Sequence, residues 1–206
     1  MIDNLFAVPV YHYTPKYDEI FLVQDEIKRK WSTITSTDPF ENPNGWGDGV
    51  ETNIKQRFNS AEFYKLSNLS QYVDKHVRNY VMSIRASEHK RVFLSHSWFN
   101  ITRDNTFQDW HQHQDSVISG VYYYQTSGDD GDIVFESPNP YEALELFPSG
   151  ELVHKYVAYK PAVGKIIIFP GWLRHKVEKN ITENPRISFS FNYLYDNTIS
   201  GQRGYK

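Results

Sequence analysis

Three side chains that can bind a metal alternate near the middle of the chain. His111, His113 and Asp115 lie within the segment Trp110-His-Gln-His-Gln-Asp-Ser116. Residues two apart in a β-strand point to the same face, so an extended segment would direct all three toward one point. Two imidazole nitrogens and one carboxylate, with other positions of the metal left open, are typical of oxygen-activating Fe(II) sites. The spacing therefore predicts a metal site.

A fourth histidine and an arginine could complete this site from other strands. His175 follows the apolar run Lys165–Phe169 and a Pro-Gly-Trp turn. Arg186 starts an alternating segment and shares one face with Ser188, so its guanidinium could clamp a carboxylate through two hydrogen bonds. Each feature alone also has an ordinary explanation, since histidines pack in cores and one face of an antiparallel strand is often solvated. Their combination favours a site.

Composition excludes several classes of protein. The 206 residues carry a net charge of −3 and include no cysteine, so a phosphate-binding surface is not expected as the main feature, and thiolate metal sites, disulfides and cysteine nucleophiles are excluded. No segment has the roughly 20 apolar residues of a membrane span, and the N-terminus lacks the pattern of a signal peptide. We expect a soluble, cytoplasmic protein with no membrane association, for which nucleic acid is not the partner.

The two parts of the chain differ in pattern. Residues 1–90 predict a supporting unit made of a strand, a helix, a loop and a second amphipathic helix, at Leu5–Tyr13, Tyr17–Trp31, Thr35–Asn59 and Leu66–Ile84. Residues 91–196 predict eight short strands separated by turn residues, at Phe93–Ile101, Phe107–His113, Val117–Gln125, Asp132–Glu136, Val153–Tyr159, Lys165–Phe169, His175–Val177 and Ile187–Tyr195. We predict one domain over 1–206, mainly β, with a double-stranded β-helix (jelly-roll, cupin-like) core and the N-terminal helices packed outside it.

At this point the residues resemble a known family, the 2-oxoglutarate- and Fe(II)-dependent oxygenases. That family carries His-x-Asp/Glu, a distal His and then Arg-x-Ser, and the matches here are His113-Gln-Asp115, His175 and Arg186-Ile-Ser188. A closer resemblance is to small oxygenases of this class from bacteria and marine phages. The motifs shared with that group occur in the same order here, as Trp98-Phe-Asn100, His111-Gln-His113, Ser119-Gly-Val-Tyr-Tyr123, Phe169-Pro-Gly-Trp-Leu-Arg-His175 and Arg186-Ile-Ser-Phe-Ser-Phe-Asn192.

The resemblance leaves two ligand assignments open. His113 and Asp115 could form the His-x-Asp pair, with His111 beside it, or His111 and His113 could take the two positions, with Asp115 orienting a ligand or contacting substrate. We favour the first slightly, because a carboxylate offsets the charge of Fe(II). His175 belongs to both assignments.

The resemblance implies a dioxygenase that uses Fe(II), 2-oxoglutarate and O2, and hydroxylates a small molecule or a side chain while releasing succinate and CO2. Arg186 and Ser188 would bind 2-oxoglutarate, and Tyr122, Asn100 and Asn192 are further candidates for contacts to it. The catalytic set would be His113, Asp115, His175 and Arg186, in a core spanning 91–196. A homodimer is compatible with these features.

Two other functions stay open from the sequence. The spacing from Asn105 to His111-x-His113 also resembles a cupin-type metalloenzyme that uses no 2-oxoglutarate, although the glutamate expected after His113 is missing. The 15 Tyr, 13 Phe and 5 Trp residues would also suit a metal-free β-sandwich binding module. That module would leave the alternating histidines unexplained.

Overall fold

Three helices and ten strands occur in the part of the chain that the structure, a computed structural model, describes: residues 7–43, 46, 49–55, 59–84, 91–139 and 154–196. The helices are α1 (Tyr17–Thr37), α2 (Ser60–Phe63) and α3 (Ser67–Ser83). The strands are β1 (Tyr11–Tyr13), β2 (Glu51–Thr52), β3 (Val92–Thr102), β4 (Gln108–His111), β5 (Ile118–Gln125), β6 (Ile133–Glu136), β7 (Tyr156–Tyr159), β8 (Ile166–Pro170), β9 (His175–Val177) and β10 (Arg186–Tyr195).

The strands form two antiparallel sheets. A six-stranded major sheet has the order β1-β8-β5-β10-β3-β2, and a four-stranded minor sheet has the order β4-β9-β6-β7. Most strands that are neighbours in a sheet are not consecutive in the chain, as in a jelly roll. The predicted mainly β jelly-roll fold is confirmed, and α1 and α3 pack outside it against the major sheet.

Both faces of the major sheet are covered, and strand alternation assigns each side chain to one of them. On β10, Ile187, Phe189 and Phe191 face the helices and belong to the larger apolar core. Arg186 and Ser188 face the space between the two sheets and line a pocket there. The predicted polar face of this strand is therefore interior rather than solvated.

Helix α1 extends beyond its predicted end at Trp31 and finishes at Thr37. The reason is Ile34, which continues the apolar stripe and is fully buried. The Asp38 N–H then donates to the Ile34 carbonyl at 3.1 Å and closes the last turn. The run of β-branched residues around Ile34 made the helix hard to predict, because such residues weaken helix propensity.

Parts of three predicted elements lie outside the described residues. These are the first two residues of the strand predicted at Leu5–Tyr13, residues 44, 45, 47, 48 and 56–58 of the loop predicted at Thr35–Asn59, and Val153 of the strand predicted at Val153–Tyr159. Among the described helices, none is long and apolar enough to cross a membrane.

A buried carboxylate joins the two long helices. Helix α3 begins after Leu66, which offers no side-chain cap, and its first N–H groups need acceptors. Glu26 of α1, only 3% exposed, supplies them: Oε1 accepts from the Asn68 N–H at 3.1 Å and Oε2 from the Leu69 N–H at 3.0 Å. The negative charge also suits the positive end of the α3 dipole.

We expect Glu26→Gln to lower the free energy of unfolding by about 1–3 kcal/mol, because the amide has the same shape but turns an N–H group toward a helix N–H that needs an acceptor. Urea unfolding followed by circular dichroism measures this. Glu62→Gln, at an exposed glutamate of α2, is the matched control and should change stability little. Equal losses in the two variants would contradict the capping role.

Candidate metal centre

Three imidazoles converge at one end of the space between the sheets. The nitrogens of His111, His113 and His175 that could bind a metal lie within 4.8 Å of one another. His111 ends β4 and His175 begins β9, and the two are direct partners in the antiparallel pairing of these strands. Their ring centroids are consequently only 4.2 Å apart. The minor sheet itself thus brings two of the three rings together.

His113 lies two residues beyond the end of β4, and both its backbone and its ring make contacts that fix its position. Its backbone N–H donates to the Gly171 carbonyl at 2.8 Å. Its ring stacks on Trp98 at 5.9 Å between centroids and is nearly parallel to the ring of His175, at 5.3 Å. A β-carbon on Gly171 would lie 2.3 Å from the Ser116 carbonyl oxygen, so only glycine permits this approach of the two loops.

Hydrogen bonds fix the tautomer of two of the rings. His111 Nδ1 lies 2.7 Å from the Asp109 carbonyl oxygen, and His175 Nδ1 lies 2.8 Å from the Leu173 carbonyl oxygen. A carbonyl only accepts, so each Nδ1 carries the proton and each Nε2 keeps a free lone pair. This is the arrangement in which metal-binding histidines are normally oriented by a second group.

Burial keeps all three imidazoles uncharged. Desolvation lowers the pKa of His113 to about 4, and the pKa of His175 falls well below its ordinary value for the same reason. Burial also lowers the pKa of His111, opposed by the hydrogen bond to the Asp109 backbone and by the charge of the Asp109 carboxylate. Neutral imidazoles are the form that binds a metal, so the cluster is prepared for a cation at neutral pH.

Asp115 does not join this group. We predicted a strand through His113, but β4 ends at His111, and Asp115 lies in an exposed turn. The alternation that would have placed it beside His113 therefore stops before reaching it. Among the described residues, the converging donors are the three histidines alone.

Arg186 is buried in the same space and firmly held. Its Nη1 donates to the carbonyls of Asp130 and Gly131, each at 2.6 Å, and its Nη2 donates to Thr102 Oγ1 at 3.1 Å. Burial lowers the pKa of Arg186, while the nearby Tyr123 and Asp130 oppose that effect. The Nε–H and one Nη2–H have no partner among the described residues, so the guanidinium can still bind an anion.

The pocket between these groups contains about 540 Å³ of space, its open mouth included, and both the histidines and Arg186 line it. Ser188 and Asn100 line it, as predicted for contacts to a co-substrate. Tyr122 does not: its ring packs on Tyr72, and its hydroxyl accepts from Gln24 on the helix side of the sheet. Tyr123 occupies the pocket face instead.

The sequence could not distinguish these two tyrosines, because they are adjacent and β5 is buried on both faces from Ile118 to Tyr123. The pairing with β10 does so. Tyr123 stands opposite Ser188, which faces the pocket, and Tyr122 stands opposite Phe189, which faces the helices. Two further residues absent from the sequence prediction, Thr102 and Gln108, also line the pocket.

Two buried polar atoms in the pocket wall have no hydrogen-bond partner among the described residues. They are Nε1 of Trp98 and Oδ1 of Asn100. The amide nitrogen of Asn100 is used, since it donates to Ser190 Oγ at 3.0 Å. Buried polar atoms are nearly always satisfied, so this wall fits a polar ligand.

A second pocket lies on the other side of the histidines. Trp98, Gln108, His111 and His113 line both pockets. The second one contains about 560 Å³ of space, its mouth included. Asn192, which we predicted to contact the co-substrate, lines this pocket and not the one that contains Arg186.

Comparison with known proteins agrees with this geometry. Residues 96–192 match the family described as "Putative 2OG-Fe(II) oxygenase". No curated protein sequence matches the chain.

Solved structures of the same class share the fold. An oxidoreductase of the 2OG-Fe(II) oxygenase family from Burkholderia pseudomallei is 14% identical, with a TM-score of 0.58 over 89% of this chain and 83% of that one. A prolyl-4-hydroxylase from Pseudomonas putida is 12% identical, with a TM-score of 0.59 over 92% and 95%. HygX from Streptomyces hygroscopicus, with nickel and 2-oxoglutarate bound, is 11% identical, with a TM-score of 0.58 over 90% and 82%.

The predicted resemblance is confirmed, by sequence over the core and by fold over most of the chain. Residues 96–192 are similar in sequence to the 2-oxoglutarate/Fe(II) oxygenase class, and the fold is shared with solved members of that class. That class depends on Fe(II) and 2-oxoglutarate, and the three histidines are a group that could hold the metal.

We expect Gly171→Ala to weaken metal binding about tenfold or more, because the added methyl group would push away the loop that positions His113. Nickel retained after dialysis against graded chelator concentrations measures this. Gly128→Ala is the control for backbone strain: its φ of +90° disfavours alanine, but its β-carbon would meet only one atom, at 4.0 Å, so it should lose some stability and still retain nickel. Undiminished nickel binding in Gly171→Ala would contradict the role of this contact.

We expect the metal-free protein to lose stability as the pH falls. The unfolded chain takes up protons on these histidines near pH 6.5, whereas the folded-state pKa of His113 is about 4 and that of His175 is also lowered. The unfolded state therefore binds more protons in this window, and stability present at pH 7 decreases toward pH 4. His113 alone accounts for on the order of 2 kcal/mol at pH 5, and His175 adds to this loss. Urea unfolding with chelator at several pH values measures it. An unchanged slope in His175→Asn would contradict this origin.

Proposed function

We propose that this chain is an Fe(II)- and 2-oxoglutarate-dependent dioxygenase that hydroxylates its substrate. One observation carries the proposal: a neutral three-histidine cluster and a buried arginine line the same pocket. When bound, the metal and 2-oxoglutarate supply oxidation by O2, with succinate and CO2 as products. The protein supplies position, charge and shelter from water.

The donors fit a divalent metal. His111 and His175 each present a free Nε2, since their Nδ1 atoms donate to backbone carbonyls. His113 would be the third ligand, in the place where the wider family has a carboxylate. Three ligands on one side leave positions open for other groups, as oxygen-activating sites require. The proposed ligand set is therefore His111, His113 and His175, without Asp115.

Charge balance supports 2-oxoglutarate as the second component. Three neutral ligands would leave the whole charge of a divalent metal in the pocket, beside the buried Arg186 cation. Buried charge requires a partner, and a dianion with a carboxylate at each end could meet both. Arg186 keeps two N–H groups for one carboxylate, and Ser188 and Tyr123 line the same pocket.

A second candidate is a metalloenzyme of the cupin type that uses no 2-oxoglutarate. One observation favours it: Arg186 already donates three hydrogen bonds within the protein, as an arginine with a purely structural role would. The same histidines would hold the metal in both cases. The two candidates differ in whether an anion binds at Arg186.

The test is to add Fe(II) and then 2-oxoglutarate to the protein without oxygen, and to record the weak visible charge-transfer band of the ternary complex. We expect a band in the wild type, no band in His175→Ala, and a co-substrate affinity lowered at least tenfold in Arg186→Ala, which removes a charge-assisted pair. Circular dichroism confirms that each variant is folded. A wild type that binds iron but shows no band at saturating 2-oxoglutarate would favour the cupin-type enzyme.

Iron content distinguishes the two ligand assignments. We expect His111→Ala to lose bound iron on dialysis and Asp115→Ala to keep it, because only the histidine belongs to the converging group. Both variants remove one side chain from the same short segment, so each serves as the control for the other. Loss of iron in Asp115→Ala would restore the His113/Asp115 pair.

A further inference from the structure

We propose that the second pocket, beyond His111 and His113, receives the substrate, and that it recognises an organic cation, an ammonium or guanidinium group attached to a hydrogen-bond acceptor. This inference rests on the proposed function for its location, because a substrate must approach the metal from a side that 2-oxoglutarate leaves free. Its chemistry comes from the lining residues alone.

Two indole rings and one carboxylate define the character of this pocket. Trp46 and Trp98 both line it, with ring centroids 6.4 Å apart in an edge-on arrangement. Asp109 also lines it and is exposed. Among the described lining residues there is no lysine or arginine. Aromatic faces and a carboxylate together attract cations and repel anions.

The Asp109 carboxylate is available for a ligand. Its Oδ1 accepts from the Trp110 N–H at 3.0 Å, and its Oδ2 has no partner among the described residues. Its backbone carbonyl separately orients the His111 ring. The side chain can therefore be changed without removing the group that positions the metal ligand.

An amide donor also lies in the pocket wall. Asn192 accepts from Ser119 through Oδ1 at 2.8 Å, which leaves its amide N–H groups free to donate. These donors require an acceptor on the ligand, which is why a bare hydrocarbon amine does not complete the site.

The charges of the two pockets are opposite. The first pocket contains the Arg186 cation, and the second pocket carries the Asp109 anion; His111 and His113 line both. A dianionic co-substrate is thereby attracted to the first pocket and a cationic substrate to the second. Each is excluded from the other's pocket by like charge.

The experiment measures binding of three blocked amino acids of matched length to the Ni(II)- and 2-oxoglutarate-loaded protein by calorimetry. The probes are the N-acetyl methylamides of lysine, norleucine and 2-aminoadipate, which are cationic, neutral and anionic. We expect the lysine probe to bind about tenfold more tightly than the norleucine probe. 1,5-Diaminopentane, which carries ammonium groups but no hydrogen-bond acceptor, should bind more weakly than the lysine probe.

Asp109→Asn should reduce binding of the lysine probe about tenfold and leave binding of the norleucine probe unchanged. Asp104→Asn, at an exposed aspartate in the turn before β4, is the matched control and should have no effect. The inference is overturned if the neutral or anionic probe binds as tightly as the cationic one, if both aspartate variants behave alike, or if no probe binds.

Failure of the proposed function gives a different result. In that case the metal-free protein still binds the lysine probe more tightly than the other two probes, while 2-oxoglutarate does not bind and no visible band forms with Fe(II). Conversely, a normal band together with equal binding of the three probes leaves the dioxygenase intact and removes the cation pocket.

Discussion

The strict alternation of β10 is the constraint on which the rest of the structure depends. This strand lies at the centre of the major sheet, paired with β3 on one side and β5 on the other. Its odd-numbered side chains, from Ile187 to Tyr193, are needed by the helices to complete the larger core. Period-two geometry then forces Arg186, Ser188 and Ser190 into the space between the sheets. The polar side chains between the sheets are therefore a consequence of burying the other face of β10 against the helices.

A buried arginine in that interior needs acceptors, and the turn between β5 and β6 provides them. The carbonyls of Asp130 and Gly131 accept from Arg186, while the Asp130 carboxylate accepts from Thr126 and Ser127 and holds the turn in shape. Gly131 has a φ of +99°, and a β-carbon there would lie 2.2 Å from the Glu178 carbonyl. Glycine is therefore required at this point by both conformation and space.

Most of the fold could be predicted because its signals are local. Strand alternation and turn residues located eight strands. The interior position of Arg186 is consistent with the apolar residues that alternate with the polar ones along its own strand. The wrong predictions have a shared cause: the correct positions depend on which strands pair in the folded protein. Asp115 was expected to continue a strand that ends at His111, and Tyr122 could be separated from Tyr123 only through their partners on β10. The convergence of His111 and His175 likewise arises from the pairing of β4 with β9, which no local pattern contains.

The proposed ligand His113, in place of the carboxylate of the wider family, would change the electrostatics of the whole site. A carboxylate ligand would neutralise part of a metal's charge and reduce its attraction for an anionic co-substrate. Three neutral imidazoles would leave that attraction intact, and the buried guanidinium would add to it. The described lining of the pocket that contains Arg186 includes no Asp or Glu, although the charges of Asp130 and Asp132 act on Arg186 and oppose the lowering of its pKa by burial. Asp109 lines the second pocket, which Arg186 does not line. In the proposed arrangement an anion would therefore bind in the first pocket, and a second, differently charged molecule would enter the other.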